Sequence, residues 1–281
     1  MIDSSTKFLG LIANPIKHSL SPKLHNYVIE KKNLNYIYLP LQLNNDRFED
    51  GIKALRAYNF RGINVSIPYK KKIIEYLDYL DPIAQKIGAV NTVLVENDKL
   101  KGYNTDAAGF KRMLEEDGNL RIKNNIAIIV GAGGAARAVA TVFAENSVKK
   151  LYIINRSLDR TEVLSNYLKI EFPRIQIENL NLKYLAYKNI FKDASVLVDT
   201  TPVGTYPDID VAPVIRPDVL HENLLVIDLV YNPQKTTLLK AADKAGASFL
   251  NGFSMLKYQA AESFKIWTGY KIDPAIWNGL F

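Results

Sequence analysis

Apolar residues in this chain come in short runs separated by amphipathic stretches, a pattern that predicts strands and helices in alternation. KFLGLIA, residues 7–13, reads as a first strand that stops at the turn signal Asn14-Pro15. Ser21 followed by Pro22 fits a helix N-cap with proline at the first helical position, so the run to Asn33 is expected to be helical. A second strand covers residues 36–43, and Phe48, Ile52 and Leu55 then recur at helical spacing within residues 46–58. Ile63, Val65 and Ile67 alternate with Asn64 and Ser66, which gives a third strand one apolar and one polar face until Pro68 ends it. Residues 70–79 are expected to form a helix that begins at Lys70. Residues 89–95 and 100–103 pair as a hairpin across Glu96-Asn97-Asp98-Lys99, and Asp106 is an N-cap by type for a helix over 107–116.

From Asn125 the pattern changes to NIAIIVGAGGAARAVA, where Ile126, Ile128, Ile129 and Val130 make a nearly unbroken apolar run. Such a run suits a strand of a parallel sheet covered by helices on both faces, and the glycines and alanines after it suit a tight turn into a helix. Further strands at residues 151–154, 195–201 and 224–230, with alternation continuing through Phe249, predict a doubly wound sheet. The helical pattern at residues 254–267 and the terminal IDPAIWNGLF exceed what a compact nucleotide domain needs. The expected fold is therefore α/β. An N-terminal α/β substrate domain, residues 1–106 and 252–281, joins a Rossmann-type doubly wound domain of residues 107–251, and the C-terminal helices return to the first domain. Asp117-Gly118-Asn119 reads as the hinge.

Composition narrows the function classes. The 281 residues are 48% hydrophobic and 23% charged, as in a well-cored globule. With no cysteine, disulfides, thiol catalysis and zinc–thiolate sites drop out, and three histidines leave little for a metal centre, so no metal is expected. No run reaches the length of a membrane span and the N-terminus lacks signal-peptide order, so a cytoplasmic protein without membrane partners is expected. The net charge of +7 is spread through amphipathic stretches without a basic stripe or reader motif. It argues for anionic small molecules and against nucleic acid.

The candidate chemistry sits at strand ends. Gly131-Ala132-Gly133-Gly134-Ala135-Ala136 fits the G-x-G-x-x-G/A pattern: one glycine turns the chain, another lets the backbone approach a pyrophosphate, and a small third residue lets helix pack on strand. At the end of the next strand, Asn155-Arg156-Ser157 stands where an NAD site carries a carboxylate for the ribose hydroxyls. Arg156, with Arg160 beyond it, would instead attract a 2′-phosphate, which predicts NADP(H) over NAD(H). In the first half, Ser19, Ser66, Lys70, Asn91 and Asp106 lie near strand ends, where α/β sheets gather ligands. Ser21 either joins them or only caps its helix. His18 and His25 beside serines could suggest a hydrolase, but no nucleophile elbow accompanies them, and helix packing and polar contacts suit their spacing better.

Nine segments in order, NPIKHSLSPKLHN, NVSIPYK, GAVNT, GYNTDAAG, GAGGAARA, NRS, TPVG, DLVYNPQKT and GFSMLKYQAA, together resemble the shikimate dehydrogenases along almost the whole chain. The resemblance implies NADPH-dependent reduction of the ring ketone of 3-dehydroshikimate, reversible to shikimate oxidation, as a step of aromatic amino-acid biosynthesis. It implies that Ser19 and Ser21 hold the substrate carboxylate with Tyr231 near it, that Ser66, Asn91 and Gln259 bind ring hydroxyls or support the ligand, and that Lys70 and Asp106 form the catalytic pair. The implied NADP site comprises Gly131, Ala132, Gly133, Gly134, Ala135, Asn155, Arg156, Ser157, Arg160, Thr201, Pro202 and Val203, with Leu229, Gly252 and Met255. Four positions depart from the family's usual residues: Ser66 for Thr, Asp199 for Asn, Thr205 for Met and Ser254 for Gly. Two other readings compete: a quinate/shikimate dehydrogenase using NAD or both cofactors, and a ligand-sensing regulator that has lost catalysis. The expected assembly is a monomer or homodimer.

Overall fold

The computed structural model describes residues 2–17, 19–58, 60–183 and 187–280, which leaves His18 outside the described residues. The chain divides into two compact units, Met1–Gly109 with Lys257–Phe281, and Phe110–Leu256. The hydrophobic pattern puts the changes of unit at residues 106/107 and 251/252, ahead of two helices; the observed changes fall inside those helices, and the expected hinge Asp117-Gly118-Asn119 lies within the second unit. Among the described residues no helix is long and apolar enough to cross a membrane.

The first unit is built on a mixed sheet of strands β1 (Lys7–Ala13), β2 (Tyr36–Gln42), β3 (Phe60–Val65), β4 (Tyr79–Leu80), β5 (Thr92–Glu96) and β6 (Lys99–Tyr103), in the order β2-β1-β3-β5-β6-β4. β1 runs parallel to β2 and β3, while β5 is antiparallel to β3 and β6. The tip of the β5–β6 hairpin places Asn97 and Asp98 at positive φ, a conformation these two residue types tolerate. Helices α1 (Ser21–Lys31), α2 (Phe48–Ala57) and α3 (Pro82–Ile87) follow strands, and α4 (Thr105–Arg112) follows β6. Phe48, Ile52 and Leu55 bury the predicted face of α2.

The second unit holds a parallel sheet of β7 (Ile126–Val130), β8 (Lys150–Asn155), β9 (Ile177–Asn181), β10 (Val196–Asp199), β11 (Leu225–Asp228) and β12 (Ser248–Asn251). Their order, β12-β11-β10-β7-β8-β9, is that of the dinucleotide-binding doubly wound fold. Helices α5 (Gly134–Glu145), α6 (Leu158–Glu171), α7 (Tyr187–Lys192) and α8 (Thr237–Lys244) cross between strands. β7 is buried from Ala127 to Val130, as its unbroken apolar run requires.

The last helix, α9 (Gly252–Thr268), begins in the second unit and ends in the first. Within the first unit Trp267 Nε1 donates to the Val93 carbonyl at 2.9 Å, and Gly62 clears the space for its ring: a Cβ there would meet it at 2.2 Å. Further on, Trp277 Nε1 donates to the Leu24 carbonyl at 2.9 Å. The C-terminal segment thus returns to the first sheet, as its surplus length suggested.

Three local expectations are corrected. Residues 70–79 form no α-helix; a 3-10 turn over Lys72–Tyr76 leads into β4, because adjacent β-branched Ile73 and Ile74 disfavour a helix and the chain must reach β6 in extended form. Ser21 is not the cap of α1, which starts at Ser21 itself with Leu20 before it. Asp106 is not the cap of α4: Asn104 Oδ1 accepts from Ala107 N at 3.1 Å, and Asp106 lies in the first turn.

Candidate active site

In the first unit the loops after β1, β3 and β6 and the loop before β5 meet at one edge of the sheet. Register places Ile12 beside Val65, Asn64 beside Thr92, and Thr92 beside Tyr103. Ser66 N donates to the Ile12 carbonyl at 2.9 Å, which fixes Ser66 against the end of β1 just ahead of Ser19 and Ser21. Ser19 Oγ accepts from Ser21 N at 3.3 Å, and the Ser21 hydroxyl, free of capping duty, is buried beside Tyr38.

Lys70 Nζ stands 2.7 Å from Asp106 Oδ2, with side chains 33% and 19% exposed, so the pair is shielded yet still reachable. Their backbones are fixed by a shared segment. Val90 N donates to the Lys70 carbonyl at 2.8 Å, and Thr105 N, one residue before Asp106, donates to Asn91 Oδ1 at 2.7 Å. Asn91 Nδ2 spends one hydrogen on Thr105 Oγ1 at 3.0 Å and keeps a second. Gln259 is buried on α9 where Gly109, three residues after Asp106 on α4, lets the two helices touch; a Cβ at Gly109 would lie 2.7 Å from Gln259 N. Ser19, Ser21, Ser66, Lys70, Asn91, Asp106 and Gln259 thus belong to one unit. Tyr231 belongs to the other, after β11, where burial raises its phenol pKa.

In the second unit the cofactor candidates follow the carboxyl ends of β7, β8, β10, β11 and β12. Gly131 has φ +104, and a Cβ there would meet Thr200 Oγ1 at 2.4 Å, so only glycine makes this turn. A dinucleotide pyrophosphate needs open space and unspent N–H groups at the helix start. Both are present among the described residues: a Cβ on Gly133 or Gly134 would meet nothing within 4 Å, and no side chain caps α5. Arg156 and Arg160 are exposed at the end of β8, and neither forms an ion pair among the described residues. Asn155 Nδ2 donates to the Ser157 carbonyl at 3.0 Å and Asn181 Nδ2 to the Arg156 carbonyl at 3.2 Å, which holds the backbone of the Asn155-Arg156-Ser157 turn.

The loop of Thr201, Pro202 and Val203 is held from below by Asp199, whose Oδ1 accepts from Thr201 N at 2.8 Å. Asp228, beside it in register, accepts from Val230 N at 2.9 Å and from Thr236 Oγ1 at 2.6 Å. Both carboxyls are buried. Burial, with the neighbouring Asp228 charge adding to it, pushes Asp199 up to about 7, and burial likewise raises Asp228. Leu229 and Gly252 are in contact, and Met255 is half-buried in the first turn of α9. A Cβ on Gly252 would lie 2.0 Å from the Leu229 carbonyl oxygen. Gly252→Ala is accordingly expected to cost about 2–3 kcal/mol, because backbone must move to make room. Thermal unfolding checks this, with Tm expected to fall by roughly 4–12 °C.

Comparison with known proteins follows this geometry closely. Residues 11–93 match the family model described as shikimate dehydrogenase substrate binding domain, and residues 113–201 the one described as shikimate / quinate 5-dehydrogenase. A shikimate dehydrogenase (NADP(+)) of Halothermothrix orenii is 48% identical over 96% of this chain and 94% of its own length. The chain belongs to the shikimate dehydrogenase family. Among solved structures, the shikimate 5-dehydrogenase of Listeria monocytogenes in complex with shikimate and NAD superposes with TM-score 0.93 at 35% identity, covering 100% of this chain and 98% of that one. The Thermus thermophilus shikimate 5-dehydrogenase in complex with NADP(H) and shikimate gives TM-score 0.84 at 32% identity, covering 96% and 97%.

This member of the shikimate dehydrogenase family also holds residues that the sequence reading passed over. Asn64 and Thr92 are buried beneath the strand-end edge, as are Thr105 and Ser263. The signal for Asn64 lay in its place on the polar face of β3, a face the fold covers. His25, which the sequence did single out, is fully buried and stacks on Tyr38 with ring centroids 4.4 Å apart. Burial pushes its imidazole pKa down to about 3, opposed in part by Asn64, and neither ring nitrogen has a hydrogen-bond partner among the described residues. Packing is thus its role, as expected, but the polar contacts also expected of it are not made, because its ring is enclosed by aromatic side chains.

Proposed function

We propose that the chain catalyses the reversible, NADP-dependent reduction of 3-dehydroshikimate to shikimate in the cytoplasm, with Lys70 and Asp106 as the catalytic pair. The observation that carries this reading is the 2.7 Å contact between Lys70 Nζ and Asp106 Oδ2 at a strand-end edge shared with Ser19, Ser21 and Ser66. NADPH, when bound, supplies the hydride. The chain's own groups handle charge and protons. As the substrate carbonyl carbon is reduced, negative charge grows on its oxygen, and the Lys70 ammonium both stabilises that charge and donates the proton. Asp106 holds Lys70 in place and accepts a hydrogen bond from the adjoining ring hydroxyl. The hydroxyls of Ser19 and Ser21, beside the start of α1, suit a carboxylate, and Tyr231 adds a phenol donor. Ser66, Asn91 and Gln259 serve the ring hydroxyls. An intact pair is what a regulator without catalysis would have no use for. The substrate domain of this reading is the first unit and the NADP domain the second; a monomer or homodimer fits it equally.

For the cofactor, Gly131, Ala132, Gly133, Gly134 and Ala135 line the pyrophosphate turn, and Arg156 and Arg160 take the 2′-phosphate with Asn155 and Ser157 beside them. Thr201, Pro202, Val203, Leu229, Gly252 and Met255 flank the nicotinamide end. Arg156→Asp is expected to lower the preference for NADP over NAD by roughly 10–100-fold, the worth of a hydrogen bond to a charged group. The kcat/KM ratio for the two cofactors measures it, and an unchanged ratio refutes the assignment.

The whole reading is tested by initial rates with shikimate and quinate, each with NADP and NAD, followed at the nicotinamide band. Shikimate with NADP is expected to be fastest. Rates that favour quinate with NAD would make this a quinate dehydrogenase, and no rate in any arm would leave a binding protein.

A further inference from the structure

Ser263 lies on α9 one turn after Gln259, so the two side chains share a face of that helix. Its hydroxyl is fully buried and stands 2.8 Å from Thr92 Oγ1 and 2.9 Å from Thr105 Oγ1. Thr92 and Thr105 hydroxyls are themselves 2.9 Å apart, so side chains from α9, β5 and the first residue of α4 close a triangle. Two amides feed it. Asn64 Nδ2 reaches Thr92 Oγ1 and Ser263 Oγ, each at 3.1 Å, and Asn91 Nδ2 reaches Thr105 Oγ1 at 3.0 Å. Each hydroxyl carries one hydrogen and two lone pairs, so the ring can satisfy all its members without water.

The triangle stands directly behind the catalytic pair. Thr105 is joined to Asp106 by a peptide bond, and the segment holding Thr92 also anchors the Lys70 carbonyl through Val90 N at 2.8 Å. Ser263 connects that frame to the helix that carries Gln259. We propose that Ser263 is a positioning residue: through Thr92 and Thr105 it sets where the Asp106 carboxylate meets Lys70, and it keeps Gln259 in register with both. This assignment rests on the dehydrogenase reading above. Removing the hydroxyl takes one partner from each of the Thr92 and Thr105 hydroxyls and from Asn64 Nδ2, and the threonines then turn to Asn91 Oδ1, 3.2 Å from each, which reorders the hydrogen bonds at the base of α4. A displacement on the order of 1 Å at a reacting group costs about 10²-fold in rate, and a smaller shift costs proportionately less.

The test compares Ser263→Ala with Thr268→Ala and the unaltered chain by steady-state kinetics, calorimetric titration with shikimate alone, and thermal unfolding. Thr268 is on the same helix, but its hydroxyl bonds the Phe264 carbonyl at 2.7 Å and Tyr270 N at 3.1 Å, away from the triangle. For Ser263→Ala, kcat is expected to fall by roughly 10-fold while the shikimate Kd moves by less than about 3-fold. Thr268→Ala is expected to keep kcat. A second pair guards against a variant that fails to fold: Thr92→Val, which loses the hydroxyl at constant size, should lose rate, and Thr92→Ser, which keeps it, should retain rate. Unchanged kcat in folded Ser263→Ala and Thr92→Val overturns the assignment, as does a weakened Kd with kcat intact. Absence of turnover in the unaltered chain would overturn the dehydrogenase reading and this assignment together, which separates the two failures.

Discussion

Replacing Lys70 with alanine is expected to lower kcat by roughly 10²–10⁴-fold, the usual range for loss of a general acid, while substrate affinity changes far less. The reason is where the charge develops. The ground-state carbonyl asks little of the ammonium, whereas the oxygen formed on reduction needs both its charge and its proton. Asp106, 2.7 Å from Nζ, contributes through that same group, so removing both is expected to cost little more than removing Lys70. Steady-state kinetics with shikimate check the first expectation, and the double variant the second. Weakened affinity with turnover intact would reduce Lys70 to a binding group.

Asp199→Asn is expected to stabilise the protein above neutral pH by about 4 kcal/mol and to leave it unchanged below about pH 4. Burial raises the folded-state pKa of Asp199 from 3.8 to about 7. Below 3.8 the group is protonated folded and unfolded alike, and it contributes nothing to the pH dependence. Between 3.8 and about 7 the unfolded chain ionises while the folded one holds its proton, so stability falls as pH rises; beyond about 7 the loss is complete. Asparagine keeps an oxygen to accept from Thr201 N and has no charge to bury. Denaturant unfolding of both proteins at pH values across this window measures the difference. A constant difference at every pH would mean that Asp199 is ionised at no cost, with Asp228 and its Thr236 hydroxyl unaffected by it.

The doubly wound half was legible because buried parallel strands leave apolar runs ended by turn-forming residues: β7 stops at Gly131, β8 at Asn155, and β10 and β11 shortly before Pro202 and Pro233. β9 was not: IENLN carries only two apolar residues, and this edge strand owes its form to pairing with β8. Strand-end positions marked Lys70 and Asp106 among five candidates and only the family resemblance paired them, whereas the caps were not legible at all. Asn104 and Asp106 are both cap types, and the choice between them depends on Lys70, 36 residues away, which draws Asp106 into an ion pair. Likewise the alternation in β3 marks Asn64 as polar without saying whether water or α9 covers it. Contacts distant in sequence decide each of these, and no local pattern records them.

Direct hydride exchange is read out by oxidising shikimate deuterated at the carbinol carbon, with NADP present and mass analysis of the reduced nicotinamide. The expected result is deuterium in NADPH, with a slower rate than for unlabelled shikimate. Label released to solvent, or no reduced nicotinamide at all, would contradict direct hydride exchange between this substrate and this cofactor.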